Sequence, residues 1–178
     1  TATSEGRRPD FSAVDEYADE CFVPFTVGGG VRTVDDVRGL LQVGADKVAI
    51  NTAAYESPSL IGEAAAHFGS QCVVVSIDAR RLTDGTYMTF SRAGTRPTGE
   101  TPDAVARRVS SEGAGELLIT SIERDGTMSG YDIDLVRLVT SAVDIPVIAS
   151  GGAGTYEHMY EAITGGGASA VAAASIFH

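Results

Sequence analysis

A (β/α)8 barrel, an α/β fold with parallel strands inside and helices outside, is what the sequence predicts, and three observations carry the expectation. Apolar strand-like runs alternate with amphipathic helical stretches from end to end. The apolar runs finish on polar residues, at Asn51, Asp78, Thr120, Ser150 and Ser175. Any one of these is accounted for as a cap on the following loop. Together they fit a barrel whose site is assembled from strand carboxyl ends. Finally, the stretch Pro24–Thr33, PFTVGGGVRT, has an echo in Pro146–Thr155, PVIASGGAGT.

That echo is a long-period internal repeat rather than a chance motif. Pro24 falls on Pro146, Gly29 on Gly151, Gly30 on Gly152 and Thr33 on Thr155. Val37 then meets Met159 and Leu40 meets Ala162. After a single-residue insertion Gly44-Ala45 meets Gly167-Ala168, Val48 meets Val171 and Thr52 meets Ser175. Each copy reads as strand, glycine turn, helix, Gly-Ala turn and second strand. Glycines between strand and helix let backbone N–H groups approach an anion. Two copies therefore predict two phosphate sites, one near Gly30, Asn51 and Thr52, the other near Gly152 and Ser175.

Taken in order, Thr1–Arg8 is polar and turn-like. Phe11, Val14 and Tyr17 recur at helical spacing, placing a helix over about Pro9–Ala18. Phe22–Val27 reads as a strand. Thr33 with Asp36 three residues on has capping-box spacing, opening a helix whose apolar face is Val34, Val37, Leu40 and Leu41 and which Gly44 ends. Lys47–Asn51 is the next strand, and Ser57-Pro58 opens a helix running to about Phe68. Val73–Asp78 is continuously apolar up to its end, as a strand covered on both faces should be. Arg80–Pro97 breaks the rhythm with a Thr-Asp-Gly turn and alternating residues, which predicts a hairpin excursion. Thr101-Pro102 restarts the pattern with a capped helix to about Glu112. Glu116–Thr120 is a strand, Ser121–Gly130 a loop and Asp132–Ala142 a helix, before the last repeat copy closes the chain.

The 178 residues suit a single domain with a sizeable core, and 43% hydrophobic with 21% charged residues is ordinary for a globular chain. A net charge of −11 without a basic run argues against nucleic acid and an anionic membrane as partners. An anionic ligand must then be held by local backbone dipoles. Cys21 and Cys72 lack metal-ligand spacing and are expected as buried free thiols in a reducing, cytoplasmic setting. No apolar run is long enough to span a bilayer. His67, His158 and His178 share no spacing that predicts a metal or a triad, so neither metal nor cofactor is expected. Met88, Met128 and Met159 read as packing or loop residues.

Asp78 is the candidate catalytic group. At the mouth end of an apolar strand, burial should raise its pKa and suit it to proton transfer; the alternative is a strand-end Asp capping a loop. Asp125-Gly126, in ERDGT, is on pattern alone a plain turn. Thr120 should project into the mouth and hydrogen-bond a substrate. Lys47 and Glu116 each begin an apolar strand, at the end opposite the mouth. As residues they can simply be solvated strand-start charges.

The segments FTVGGGVR, GADKVAINTAA, SIDARR, GAGELLITSIERDGTMSGYD, VIASGGAG and AAASIFH closely resemble the cyclase subunit of imidazole glycerol phosphate synthase, over essentially the whole chain. The most specific part is SIERDGTMSGYD combined with the paired glycine turns. The resemblance implies a barrel with internal half-barrel duplication, in line with the repeat. It implies a two-phosphate substrate, the ribulosyl-formimino-aminoimidazole-carboxamide nucleotide. Ammonia from a separate glutaminase subunit would pass through the barrel, and imidazole glycerol phosphate and the aminoimidazole-carboxamide ribonucleotide would leave. By the same resemblance Gly30, Asn51 and Thr52 hold one phosphate. Asp125, Gly126, Ser150, Gly151, Gly152, Ala174 and Ser175 surround the other. Lys47 and Glu116 belong to a charged ring gating ammonia, and Asp46 faces the glutaminase partner.

Set against that family, the chain starts at the end of the second strand and lacks roughly two of the eight βα units. The family's other catalytic Asp and the last helix would lie outside it. The expectation is a partial barrel of about six units, residues 1–178 forming a single domain, inactive as written. Two alternatives stand beside the cyclase: the sister phosphoribosyl-formimino isomerase of the same pathway, and a non-catalytic, partner-binding remnant.

Overall fold

Six parallel strands frame the protein in the computed structural model, which describes residues 8–177. In chain order the elements are α1 (Phe11–Glu20), β1 (Thr26–Gly28), α2 (Val34–Gln42), β2 (Lys47–Ile50), α3 (Ala53–Glu56), α4 (Ser59–Phe68) and β3 (Val73–Arg81). Then follow β4 (Tyr87–Ser91), β5 (Arg96–Pro97), α5 (Pro102–Glu112), β6 (Glu116–Ser121), α6 (Ile133–Thr140), β7 (Val147–Ser150), α7 (Tyr156–Thr164) and β8 (Ala170–Val171). The sheet runs β1-β2-β3-β6-β7-β8, every neighbouring pair parallel. It is a curled, incomplete (β/α)8 barrel. Apart from Arg8, the turn expected over Thr1–Arg8 falls outside the described residues, as does His178.

Alternation along the strands separates two faces. Val48, Ile50, Val75, Ile77, Leu117, Ile119 and Ala149 are fully buried beneath the helices. They meet Val37 and Leu40 of α2, Leu60 and Ile61 of α4, Val105 and Val109 of α5, and Leu135 and Val139 of α6 in one core. Burying each of these side chains contributes roughly 1.5–3 kcal/mol, so this layer dominates the stability. The intervening residues, Lys47, Ala49, Ser76, Asp78, Glu116, Leu118, Thr120 and Ser150, are half-buried on the opposite face. A slip of one residue would exchange the two sets, which pins the register.

The repeat is realised in backbone geometry. Gly29 and Gly30 have φ of 104° and 77°, and their counterparts Gly151 and Gly152 have 86° and 105°. Thr33 and Thr155 both cap helices from extended backbone, accepting hydrogen bonds from Asp36 and His158 N–H respectively. The capping box at Thr33 is complete, since Asp36 Oδ2 accepts from Thr33 N–H at 3.1 Å. Such a cap contributes about 1 kcal/mol.

Several elements differ from expectation for local reasons. The strand expected over Phe22–Val27 shrinks to Thr26–Gly28. Phe22 and Val23 are 96% and 68% exposed, and Pro24 has no N–H to give a ladder. Strand β3 continues past Asp78 to Arg81 because the excursion folds back as β4 and pairs antiparallel with Asp78–Arg81. Short helical turns unforeseen in the sequence follow the second strand of each repeat, at α3 and at Ser175–Phe177. Pro58 precedes rather than opens α4, and Thr101 makes no side-chain cap bond to α5. Cys21 and Cys72 are free but only half-buried.

Candidate functional site

Strand register brings the polar strand ends together. Asp78 pairs with Thr120, and Thr120 with Ser150, so these half-buried side chains stand in a row across β3, β6 and β7. Asn51, just past β2, joins from the other side. Its Nδ2 donates to Asp78 Oδ2 at 3.2 Å and to the Ser76 carbonyl at 3.0 Å. Burial pushes the Asp78 carboxyl up to about 6; the Asn51 hydrogen bond opposes this, and the Asp125 charge adds to it. A carboxyl of that pKa is present in both protonation states near neutral pH, as an acid–base group requires.

On either side of this row lies one cleft per repeat. Gly29, Gly30, Arg32, Asn51, Thr52, Ser57, Glu56 and Arg92 line a cavity of about 590 Å³. Asp125, Gly126, Ser150, Gly151, Gly152, Ala174 and Ser175 line a smaller one of about 140 Å³. All the residues assigned to the two predicted phosphate sites are thus gathered in two clefts, and each cleft holds the glycine turn of its own repeat copy. Gly152 can only be glycine. A Cβ there would lie 2.2 Å from the Gly130 carbonyl oxygen, and Gly130 N–H donates to the Gly152 carbonyl at 2.8 Å. The loop that carries Asp125 is thereby docked on the second glycine turn. Tyr131 fixes its far end, its hydroxyl donating to the Ala172 carbonyl at 2.9 Å.

At the opposite end of the strands Lys47 Nζ and Glu116 Oε2 form an ion pair at 2.6 Å, spanning β3. They are therefore partners rather than separate solvated charges. Asp46 is exposed, and its Oδ2 accepts from Phe25 N–H at 2.9 Å, tying the start of β2 to the chain before β1. His67 is exposed on α4, and His158 is half-buried in the first turn of α7, its Nδ1 accepting from Gly154 N–H at 3.3 Å. Among the described residues no group of three or more His, Cys, Asp or Glu could hold a metal. No helix among them is long and apolar enough to cross a membrane.

Sequence reasoning missed two features. It named no partner for Asp78, whereas Asn51, assigned only to a phosphate, donates a hydrogen bond to it. It also assigned no role to Arg92, which sits on the excursion and lines the larger cleft. The signal for the second was an arginine at a hairpin tip, which alone says nothing of where the hairpin lands.

Parallel strands, helices on one face and a polar rim at the strand carboxyl ends define an α/β-barrel protein with its candidate site on that rim. The chain belongs to the histidine biosynthesis protein family, whose model matches residues 1–178. That family takes in an isomerase and a cyclase of histidine biosynthesis, so it is an enzyme group.

Proposed function

We propose that the protein is the cyclase subunit of imidazole glycerol phosphate synthase. It takes ammonia from a glutaminase subunit and converts the ribulosyl-formimino-aminoimidazole-carboxamide nucleotide to imidazole glycerol phosphate and the aminoimidazole-carboxamide ribonucleotide. The observation that carries this over the sister isomerase is the Lys47–Glu116 pair, set at the strand end opposite Asp78. An isomerase works on one substrate held at the rim and has no use for a charged pair at the far end. A cyclase fed with ammonia from below needs a polar entrance there, and exposed Asp46 beside it suits a partner surface.

In this scheme the glycine turns hold the substrate's two phosphates, one in each cleft, through backbone N–H groups. This places the reacting centre over the Asp78–Thr120–Ser150 row. Ring formation removes protons from the incoming nitrogen, and the departing ribonucleotide takes one up. Asp78, ionised and protonated in comparable amounts near pH 6, can accept in one step and donate in the next. Thr120 supplies a neutral hydroxyl for orientation.

The test is turnover of the purified two-phosphate nucleotide by the full-length protein, with and without ammonium salt. Product formation that depends on ammonium supports the cyclase. Ammonium-independent isomerisation of the phosphoribosyl precursor assigns the sister activity instead.

A further inference from the structure

The excursion between β3 and α5 closes on the larger cleft. Arg92, at its tip, has φ of 52° and Ala93 has 56°, left-handed values that non-glycine residues rarely adopt. Arg92 N–H donates to Thr52 Oγ1 at 3.1 Å. Its guanidinium reaches Glu56 Oε1 through Nε at 3.1 Å and Nη2 at 2.7 Å, and Arg96 lies 3.7 Å from the same oxygen. The root of the excursion is held elsewhere, by Tyr87 Oη donating to Asp132 Oδ1 at 2.8 Å. The ion pair is therefore not what anchors the hairpin.

We propose that Arg92 is a specificity-determining residue of the larger cleft, a transferable cation that leaves Glu56 for a phosphate dianion entering beside Thr52. This rests on reading the cleft as a phosphate site. A phosphate approaching Gly30 and Thr52 meets the Glu56 carboxylate on the same wall, in a chain whose net charge is −11. Arg32 also lines this cleft, but the part of the wall that carries Glu56 repels the ligand unless a cation stands beside that carboxylate. Arg92 supplies that cation at the point of contact, and Arg96 remains beside Glu56 when Arg92 departs. The exchange is favoured on both sides. Arg92 and Glu56 are 54% and 44% exposed, and ion pairs this open contribute little. A dianion carries twice the charge of the carboxylate and matches the guanidinium fork with parallel N–H···O bonds.

The experiment titrates inorganic phosphate into the full-length protein while following the backbone amides of Gly30 and Thr52 by NMR. Gly152 and Ser175 report the other cleft in the same sample. Arg92→Ala should weaken phosphate binding at Gly30 and Thr52 about ten-fold and leave the Gly152 cleft unchanged; Arg92→Lys should fall between. Glu56→Gln should tighten binding about three-fold or more, because it releases Arg92 and removes the repelling charge. A pair that only braced the hairpin would give losses of the same sign from both variants. The proposal is overturned by Arg92→Ala binding within two-fold of wild type, or by Glu56→Gln binding that is weaker or unchanged. Wild-type protein whose Gly30 and Thr52 amides ignore phosphate overturns the cleft assignment itself, a result distinguishable from failure of the Arg92 variants alone.

Discussion

Asn51 Nδ2 donates to Asp78 Oδ2 across 3.2 Å, joining the residue after β2 to the polar rim of β3. The same Nδ2 also donates to the Ser76 carbonyl, so the amide is fixed in orientation. A phosphate-cleft residue and the proposed acid–base group are thus one unit. Asn51 favours the ionised carboxylate, while burial disfavours it and dominates.

Removing that hydrogen bond should raise the Asp78 pKa further. With Asp78 acting as a base, kcat/KM falls as pH drops through its pKa. Asn51→Ala should therefore move the acid limb upward from about 6. A pH–rate profile of the variant, with its limb at or below the wild-type position, would count against the Asn51–Asp78 coupling.

Asp78→Asn should lower kcat by about 10²–10⁴ while substrate affinity stays within a few-fold, because the group moves protons rather than pairing with an anion. The same change should stabilise the fold above neutral pH. The Asp78 pKa is raised on folding from 3.8 to about 6. The wild type is therefore at its best below the lower value and loses stability as pH rises through the upper one. The gain for the variant at pH 8 is on the order of 2–3 kcal/mol, vanishing below pH 4. Denaturant unfolding of both proteins at several pH values checks the sign. A variant less stable than wild type at pH 8 would show that Asp78 is held by favourable contacts rather than penalised by burial.

Two glycines separate conformational strain from lack of space. Gly126 has φ of 75° and nothing within 4 Å of a built Cβ. Gly126→Ala should cost only the left-handed penalty, about 1–2 kcal/mol. Gly152 has φ of 105° and would place its Cβ against the Gly130 carbonyl. Gly152→Ala should cost more, on the order of 2–4 kcal/mol, and displace the Asp125 loop. Equal costs by urea unfolding would mean that the docking of this loop on the glycine turn contributes nothing.

The sequence showed what depends on one segment at a time. Thr33 and Thr155 were visible as caps, and Gly29-Gly30 and Gly151-Gly152 as matched turns, because turn and cap chemistry is local. Contacts that depend on relative register were hidden. The order of residues put Asp78, Thr120 and Ser150 at strand ends, but not their pairing across the sheet, nor that Arg92 lands on Thr52. The row is set by the β3–β6–β7 register, and the landing of Arg92 by β2 ending at Ile50, which leaves the edge of β3 beyond Val75 open for β4 to occupy. Phe22–Val27 misled for the opposite reason. Its composition suits a strand, but Pro24 and the exposure of Phe22 and Val23 leave only Thr26–Gly28 in the ladder.

The Lys47–Glu116 pair gives the sharpest separation of structural from functional roles. Glu116 is 16% exposed and Lys47 36%, so the carboxylate is the more committed partner. Lys47→Met leaves that largely buried carboxylate without its cation and should cost about 1–3 kcal/mol, since the loss of one partner leaves desolvation uncompensated. Adding Glu116→Leu should recover most of the loss, because replacing both charges by apolar groups is often neutral. Unfolding of the two single variants and the double variant closes the cycle; a double variant as unstable as the sum of the singles would deny the coupling. The same proteins test the gate. If the pair controls passage of ammonia, the double variant is well folded yet altered in its KM for added ammonium, with its KM for the two-phosphate nucleotide unchanged. If it merely staples β2 to β6, both constants stay at wild-type values once stability is restored.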